Sequence, residues 1–216
     1  MGKEFDLKKG ELSLHVKRAL KAINDGYLIA IPLEHSYAYA CDAFNHDAVR
    51  AMHVLRGDSL FTAAQVLVGS AKTAQGVIRE VTPEISALMK RFWPGMLSMN
   101  LRPQMGLSWD LGDGNQLDRV SIRVPKNKFA LALLARSGPL AVASGARVGR
   151  PSPKALSDIM VLDSDLAVRF NNGNLRKGPI TTVIEADETG VRVLRIGAIT
   201  LESIQSIVPG ATGIEA

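Results

Sequence analysis

Tyr27-Leu28-Ile29-Ala30-Ile31-Pro32-Leu33-Glu34-His35-Ser36-Tyr37-Ala38-Tyr39 is the stretch on which the fold turns. Its first five residues carry no charge and read as a buried strand that stops at Pro32. The residues from Pro32 to Tyr39 then form a polar stretch after a strand, where open α/β sheets bind ligands. Just upstream, Glu11 to Asp25 places Leu12, Val16, Leu20 and Ile23 at helical spacing and halts at Gly26. Helix, buried strand and loop in that order begin an α/β fold.

The alternation continues. His46–Leu55 reads as a helix, Gln65–Val68 as a strand and Ala71 onward as a helix. Thr82-Pro83-Glu84 is a helix start, with a capping hydroxyl and proline in the first turn. Met96–Leu101, Val120–Val124 and Leu140–Ala143 are strand-like, with a helix over Phe129–Arg136. Ser152-Pro153 is expected to open another helix. Thr181–Glu185 and Val191–Leu194 flank Glu188-Thr189-Gly190, a hairpin signature, and Thr200 begins the last helix. Hairpins added to alternating elements imply a single α/β domain with a twisted mixed sheet flanked by helices.

Composition bounds the function. The chain has 216 residues, 46% hydrophobic and 22% charged, which is globular usage and excludes a largely disordered chain. No apolar run approaches the roughly 18 residues of a spanning helix, so no membrane association is expected. Met1-Gly2-Lys3-Glu4-Phe5-Asp6 lacks the apolar core of a signal peptide. The single cysteine, Cys41, excludes an internal disulfide and a multi-cysteine zinc site, and fits a reducing compartment. A cytoplasmic location is the expectation. Cys41 has no evident partner base and reads as a packed small hydrophobe. The four histidines, His15, His35, His46 and His53, lack metal-ligand spacing. Neither a Walker phosphate loop nor a Rossmann glycine fingerprint is present.

The net charge of +5 is modest, but it is unevenly spread. Between Arg119 and Lys154 stand eight basic residues and no acid: Arg119, Arg123, Lys126, Lys128, Arg136, Arg147, Arg150 and Lys154. Such a bias suits an anionic ligand, nucleotide phosphate or RNA backbone, or else a surface whose acids come from elsewhere in the chain. Arg123 sits within the strand pattern Val120–Pro125, well placed for a carboxylate or phosphate. Ser144-Gly145-Ala146-Arg147-Val148-Gly149-Arg150 follows a strand, and its small residues would let backbone amides approach phosphate.

These segments, taken in order from about Leu12 to about Val208, resemble the YrdC-like family of threonylcarbamoyl-AMP synthases. Pro32–Tyr39 is similar to that family's Pro-Thr-Glu-Thr-Val-Tyr-Gly-Leu, and Phe92-Trp93-Pro94-Gly95-Met96-Leu97-Ser98 to its Trp-Pro-Gly-Pro-Leu-Thr. Ile122-Arg123-Val124-Pro125 fits Val-Arg-x-Pro, and Ser144–Gly149 fits Ser-Ala-Asn-x-Ser-Gly. Thr181-Thr182-Val183-Ile184 and Arg195-Ile196-Gly197-Ala198-Ile199 fit the closing segments. The resemblance implies one YrdC-like domain over 12–208, with 1–11 and 209–216 as terminal segments, and a large basic cavity. It also implies the reaction of L-threonine, bicarbonate and ATP to threonylcarbamoyl-adenylate and pyrophosphate, a nucleotidyl transfer that feeds tRNA modification. ATP would enter as a substrate with magnesium, and no tightly bound cofactor or protein-held metal is expected. Arg123 would take the threonine carboxylate, with Thr181 and His35 beside the substrate. Arg56, Val142, Ser144 and Arg195 would hold nucleotide. No catalytic base is assigned. The tRNA threonylcarbamoyl-transfer machinery, and tRNA or double-stranded RNA itself, are the implied macromolecular partners.

Departures from the family pattern concentrate in the ligand loops. Leu33 and His35 stand where threonines are expected, and Ala146 and Val148 replace asparagine and serine. The family's Lys-x-Arg becomes Arg56-Gly57-Asp58, which is expected to turn an arginine facing triphosphate into a repelling carboxylate. Three readings stay open: an active synthase with a rearranged pocket, a catalytically degenerate paralogue that binds nucleotide or structured RNA, and an enzyme of adenylating or carbamoyl-transfer chemistry for another amino acid.

Overall fold

The computed structural model describes residues 3–114, 116, 118–159 and 166–213. Helix α1 (Leu12–Asn24) buries Val16, Ala19, Ala22 and Ile23 on one face. Gly26, at φ +85°, turns the chain back, a left-handed conformation that glycine adopts without a Cβ penalty. The remaining helices are α2 (His46–Arg56), α3 (Ala71–Gln75), α4 (Pro83–Phe92), α5 (Lys128–Ser137) and α6 (Leu201–Gln205). Side chains of Asn45, Ser70, Thr82, Asn127 and Thr200 cap α2 to α6 by accepting a backbone amide hydrogen from the first turn.

The strands are β1 (Lys3–Asp6), β2 (Ile29–Pro32), β3 (Tyr37–Asp42), β4 (Gln65–Leu67), β5 (Leu97–Leu101), β6 (Val120–Arg123), β7 (Leu140–Ser144), β8 (Val168–Asn171), β9 (Thr182–Asp187) and β10 (Gly190–Arg195). They form one sheet in the order β1-β8-β2-β3-β7-β4-β6-β5-β9-β10. β1/β8, β2/β8, β4/β6 and β5/β9 pair in parallel, and the other neighbours are antiparallel, so the sheet is mixed.

One face carries the larger apolar cluster, with Val66, Leu97, Met99, Val120, Ile122 and Ile184 meeting α2 and α4 residues such as Met52 and Leu88. On the opposite face a second cluster joins Ile29, Ile31, Leu67, Leu140 and Val142 to α1 and α5. Burying side chains of this size contributes about 1.5–3 kcal/mol each. Where that cover ends, the same face turns polar, and this half positions the site.

Three local expectations change. The polar stretch after β2 is shorter than its sequence suggests, because Tyr37 onward is strand β3, leaving Leu33–Ser36 as a tight hairpin. No helix opens at Ser152-Pro153; only a short 3₁₀ turn forms at Leu156–Asp158. Prolines bias their predecessors to extended backbone, and the Pro153 and Lys154 carbonyls accept from the Tyr37 and Leu175 amides. Strands β1 and β8 go unread in the sequence, being four residues each with charges interleaved.

Candidate functional site

Register places the site's side chains. Leu67 faces both Arg123 and Leu140 across the sheet, and Gln65 faces Val142. Cross-strand partners share a face and alternate residues return to it, so Arg123, Val142 and Ser144 project on one side. Arg123 and Ser144 each end their strand, but β6 and β7 run in opposite directions, so the two stand at opposite ends of the sheet. Between them lies a polar floor in which Gln65 Nε2 donates to Ser98 Oγ at 2.8 Å and Ser121 Oγ at 3.1 Å.

Arg123 is buried. Its Nε donates to Gly95 O at 2.8 Å, and its Nη2 meets Met96 Sδ and the Glu34 carboxylate. The Trp93-Pro94-Gly95 segment enters this contact through a cis Trp93–Pro94 peptide. It is anchored by Trp93 Nε1 donating to Leu97 O at 2.7 Å. Glu34 at the β2–β3 hairpin also accepts the Lys126 amide at 2.6 Å. The arginine expected to meet a substrate carboxylate therefore already holds one from the protein, leaving Nη1 outside these contacts.

Ser144 Oγ donates to Ser152 Oγ at 2.9 Å, while its carbonyl accepts Arg56 Nη1. Arg56 Nη1 also reaches Ala146 O at 2.7 Å, and Arg56 Nε is 2.9 Å from Asp58 Oδ2. Asp58 thus faces Arg56 and His53 inside the protein, which corrects the expectation that it would repel a ligand's phosphates. Val142 is buried at the border between the apolar cover and the polar floor, opposite Gln65.

Thr181 and Arg195 come together. Arg195 Nη2 donates to Thr181 Oγ1 at 2.7 Å, and its Nε to Thr181 O at 3.1 Å. No carboxylate pairs with Arg195 among the described residues, and partial burial lowers its pKa, so a cation stands there without a counter-charge. His35 turns elsewhere. Its Nδ1 is 3.2 Å from Arg176 O, and its ring lies against Gly178, where an added Cβ would sit 2.3 Å from ring atoms. It holds the chain that leads into Thr181 and β9. Tyr37 helps: its hydroxyl donates to Gly173 O and accepts from the Asn172 amide, both at 2.8 Å.

Of the basic stretch, Arg119 pairs with Glu185 and Asp187 and Arg123 with Glu34, so much of the charge bias is met by acids from elsewhere in the chain. Exposed Arg147, Arg150, Lys154, Arg176 and Lys177 sit on two loops joined by the Leu175 amide donating to Lys154 O. Concavities of about 380 and 460 Å³ open instead against α2 and the 103–114 loop, and neither Arg123, Ser144, Thr181 nor Arg195 lines them. Cys41 is buried in β3, its thiol pushed up to about 12 by loss of hydration, and is no nucleophile. Among the described residues no group of three His, Cys, Asp or Glu side chains could hold a metal, and no helix is long and apolar enough to cross a membrane. Sequence reasoning missed Glu34 and Gln65 as organisers of this region, and read Asp58 only as a carboxylate facing phosphate. The signal for Glu34 and Gln65 was a polar side chain within or beside a buried strand.

The Sua5/YciO/YrdC family model, described as telomere recombination, matches residues 21–197. A Mycobacterium tuberculosis protein provisionally named threonylcarbamoyl-AMP synthase is 32% identical over 190 residues, covering 88% of this chain and 87% of its own. The threonylcarbamoyl-AMP synthase of Bacillus subtilis is 30% identical over 197 residues, covering 89% of this chain and 56% of its own. The Pyrococcus abyssi Sua5 structure complexed with L-threonine superposes with a TM-score of 0.87 at 25% identity, over 99% of this chain and 62% of that one. The chain thus spans little more than half the length of these last two relatives.

Proposed function

This chain belongs to the Sua5/YciO/YrdC family, and from that premise we propose that it forms threonylcarbamoyl-adenylate from L-threonine, bicarbonate and ATP. Bicarbonate takes up a proton and loses water to give carbon dioxide, which threonine's amine captures with loss of a proton. A carbamate oxygen then attacks the α-phosphorus, and the bond to the departing pyrophosphate breaks. Magnesium enters with the triphosphate as part of the substrate. Products pass to the machinery that threonylcarbamoylates tRNA, in the cytoplasm.

The observation that carries the reading is the Arg195–Thr181 fork, an un-neutralised guanidinium fixed on a hydroxyl beside the polar floor. Charge developing at a phosphoryl centre is stabilised by such a prepositioned cation. Arg195 serves the nucleotide phosphate in this proposal, and Thr181 the amino acid. The Ser144 turn supplies a hydroxyl and backbone amides. Arg123 offers the threonine carboxylate its Nη1 edge, with Glu34 retaining the other. The names of the relatives and the threonine bound to the Pyrococcus protein support this assignment. Purified protein with ATP and magnesium should release pyrophosphate only when threonine and bicarbonate are both supplied. Silence under those conditions removes the synthase reading.

A second reading has its own observation. Exposed Arg147, Arg150, Lys154, Arg176 and Lys177 lie on adjoining loops whose one acid among the described residues, Asp158, accepts backbone amides, and this cationic excess suits a catalytically silent binder of nucleotide or structured RNA. Leu33, buried in the apolar cluster under α1, offers no hydrogen bond to a substrate. Replacing Arg147, Arg150 and Arg176 together should weaken association with double-stranded RNA and flatten its salt dependence. Binding indifferent to salt removes this reading.

A further inference from the structure

We propose that Asp58 is a positioning residue that, through Arg56, sets the turn after β7 and aims the Arg147 amide at an anionic ligand. The inference rests on the reading of that turn as a phosphate-holding loop. Asp58 is almost fully buried, 3% exposed, between two donors: Arg56 Nε at 2.9 Å and His53 Nδ1 at 2.8 Å. Gripping Arg56 by its Nε leaves one way for the rest of the planar guanidinium to point. Its Nη1 then donates to both the Ser144 and Ala146 carbonyls, while the Arg56 carbonyl accepts the Val148 amide at 3.0 Å.

Two captured carbonyls fix two peptide planes. In a trans peptide the N–H points opposite the C=O. The first plane obeys this visibly: Ser144 O faces Arg56, and the Gly145 N–H faces away and donates to Tyr37 O at 3.1 Å. In the second plane Ala146 O faces Arg56, so the Arg147 N–H is likewise turned away from Arg56, and it meets no acceptor among the described residues. An amide without an acceptor, on a turn that carries exposed Arg147 and Arg150, suits an anion. Asp58 carries the orientation without touching the ligand.

Asp58→Asn keeps the size and removes the charge. Amide exchange at Gly145 and Val148 should quicken about tenfold, and the KM for ATP should rise about tenfold with kcat within twofold. Asp58→Glu should recover part of both. Arg56→Lys, which keeps charge but loses the fork, should reproduce the Asp58→Asn effects and serves if that variant fails to fold. Unchanged exchange at both amides overturns the proposal, and so does faster exchange with an unchanged KM. If the wild-type chain binds no ATP, the synthase reading falls instead, and exchange at Gly145 and Val148 still decides whether Asp58 sets the turn.

Discussion

The carboxylate of Glu34 and the guanidinium of Arg123 form a buried ion pair that ties the β2–β3 hairpin to the end of β6. Their side chains are 13% and 5% exposed, so water reaches the Arg123 charge hardly at all and the Glu34 charge only at its edge. Removing one partner of such a pair costs about 3 kcal/mol or more. Glu34→Ala should therefore lower the denaturant midpoint by that equivalent, whereas exposed Glu80→Ala should not. Equal midpoints would show that the hairpin is held without the pair.

Asp58→Arg would restore the family's basic residue at that position, yet the burial of Asp58 against Arg56 and His53 predicts a loss. Three cationic or protonatable groups would then crowd one site without a counter-ion. The expected outcome is a destabilisation of about 3 kcal/mol with no gain in ATP affinity. Tighter ATP binding by a stably folded variant would return Asp58 to the phosphate's side.

His35 and Gly178 are predicted to be coupled. A methyl at position 178 meets the His35 ring, so Gly178→Ala must displace it and break its contact with Arg176 O. In a His35→Ala background the same methyl has room. Gly178→Ala should cost about 1 kcal/mol more beside His35 than beside Ala, read from urea unfolding of the four chains of a double-mutant cycle. Simple additivity would place the ring elsewhere.

Asp187 gives a pH signature. The Arg119 hydrogen bond, then those from the Thr189 hydroxyl and amide, hold its carboxyl well below the usual carboxylate range. A depressed native pKa contributes stability that is complete above the unfolded value near pH 4 and is lost as pH falls toward the native one. Urea midpoints measured from pH 7 to pH 2 should therefore drop less steeply below pH 4 in Asp187→Asn than in wild type. Parallel curves would leave the Arg119 contact without thermodynamic weight.

Cys41 should resist alkylation. With its thiol raised to about 12 and no exposed surface, iodoacetamide at pH 8 should label unfolded chain and leave native protein unmodified. Stoichiometric labelling of native protein would contradict the packing of β3.

Elements with strong local signals were legible. α1, the Thr82-capped α4 and the β9–β10 hairpin all follow from spacing, caps and turn residues. β1 and β8 were not, because four residues with charges among them become strands only through their partners, β8 for β1 and both β1 and β2 for β8. The same division runs through the site. Arg123, Ser144, Thr181 and Arg195 could be named from residue type and motif position. That Arg195 meets Thr181, while His35 meets Arg176 and Gly178, could not.

Local chemistry, then, already specified an α/β chain with basic, glycine-bearing loops after its strands, since propensity and periodicity act between near neighbours. Only the tertiary structure decided which of those cations remain open to a ligand. Neutralisation depends on distances of a few ångströms between residues far apart in the chain. Glu34 reaches Arg123, and Asp187 reaches Arg119, only after ten strands have been set in order.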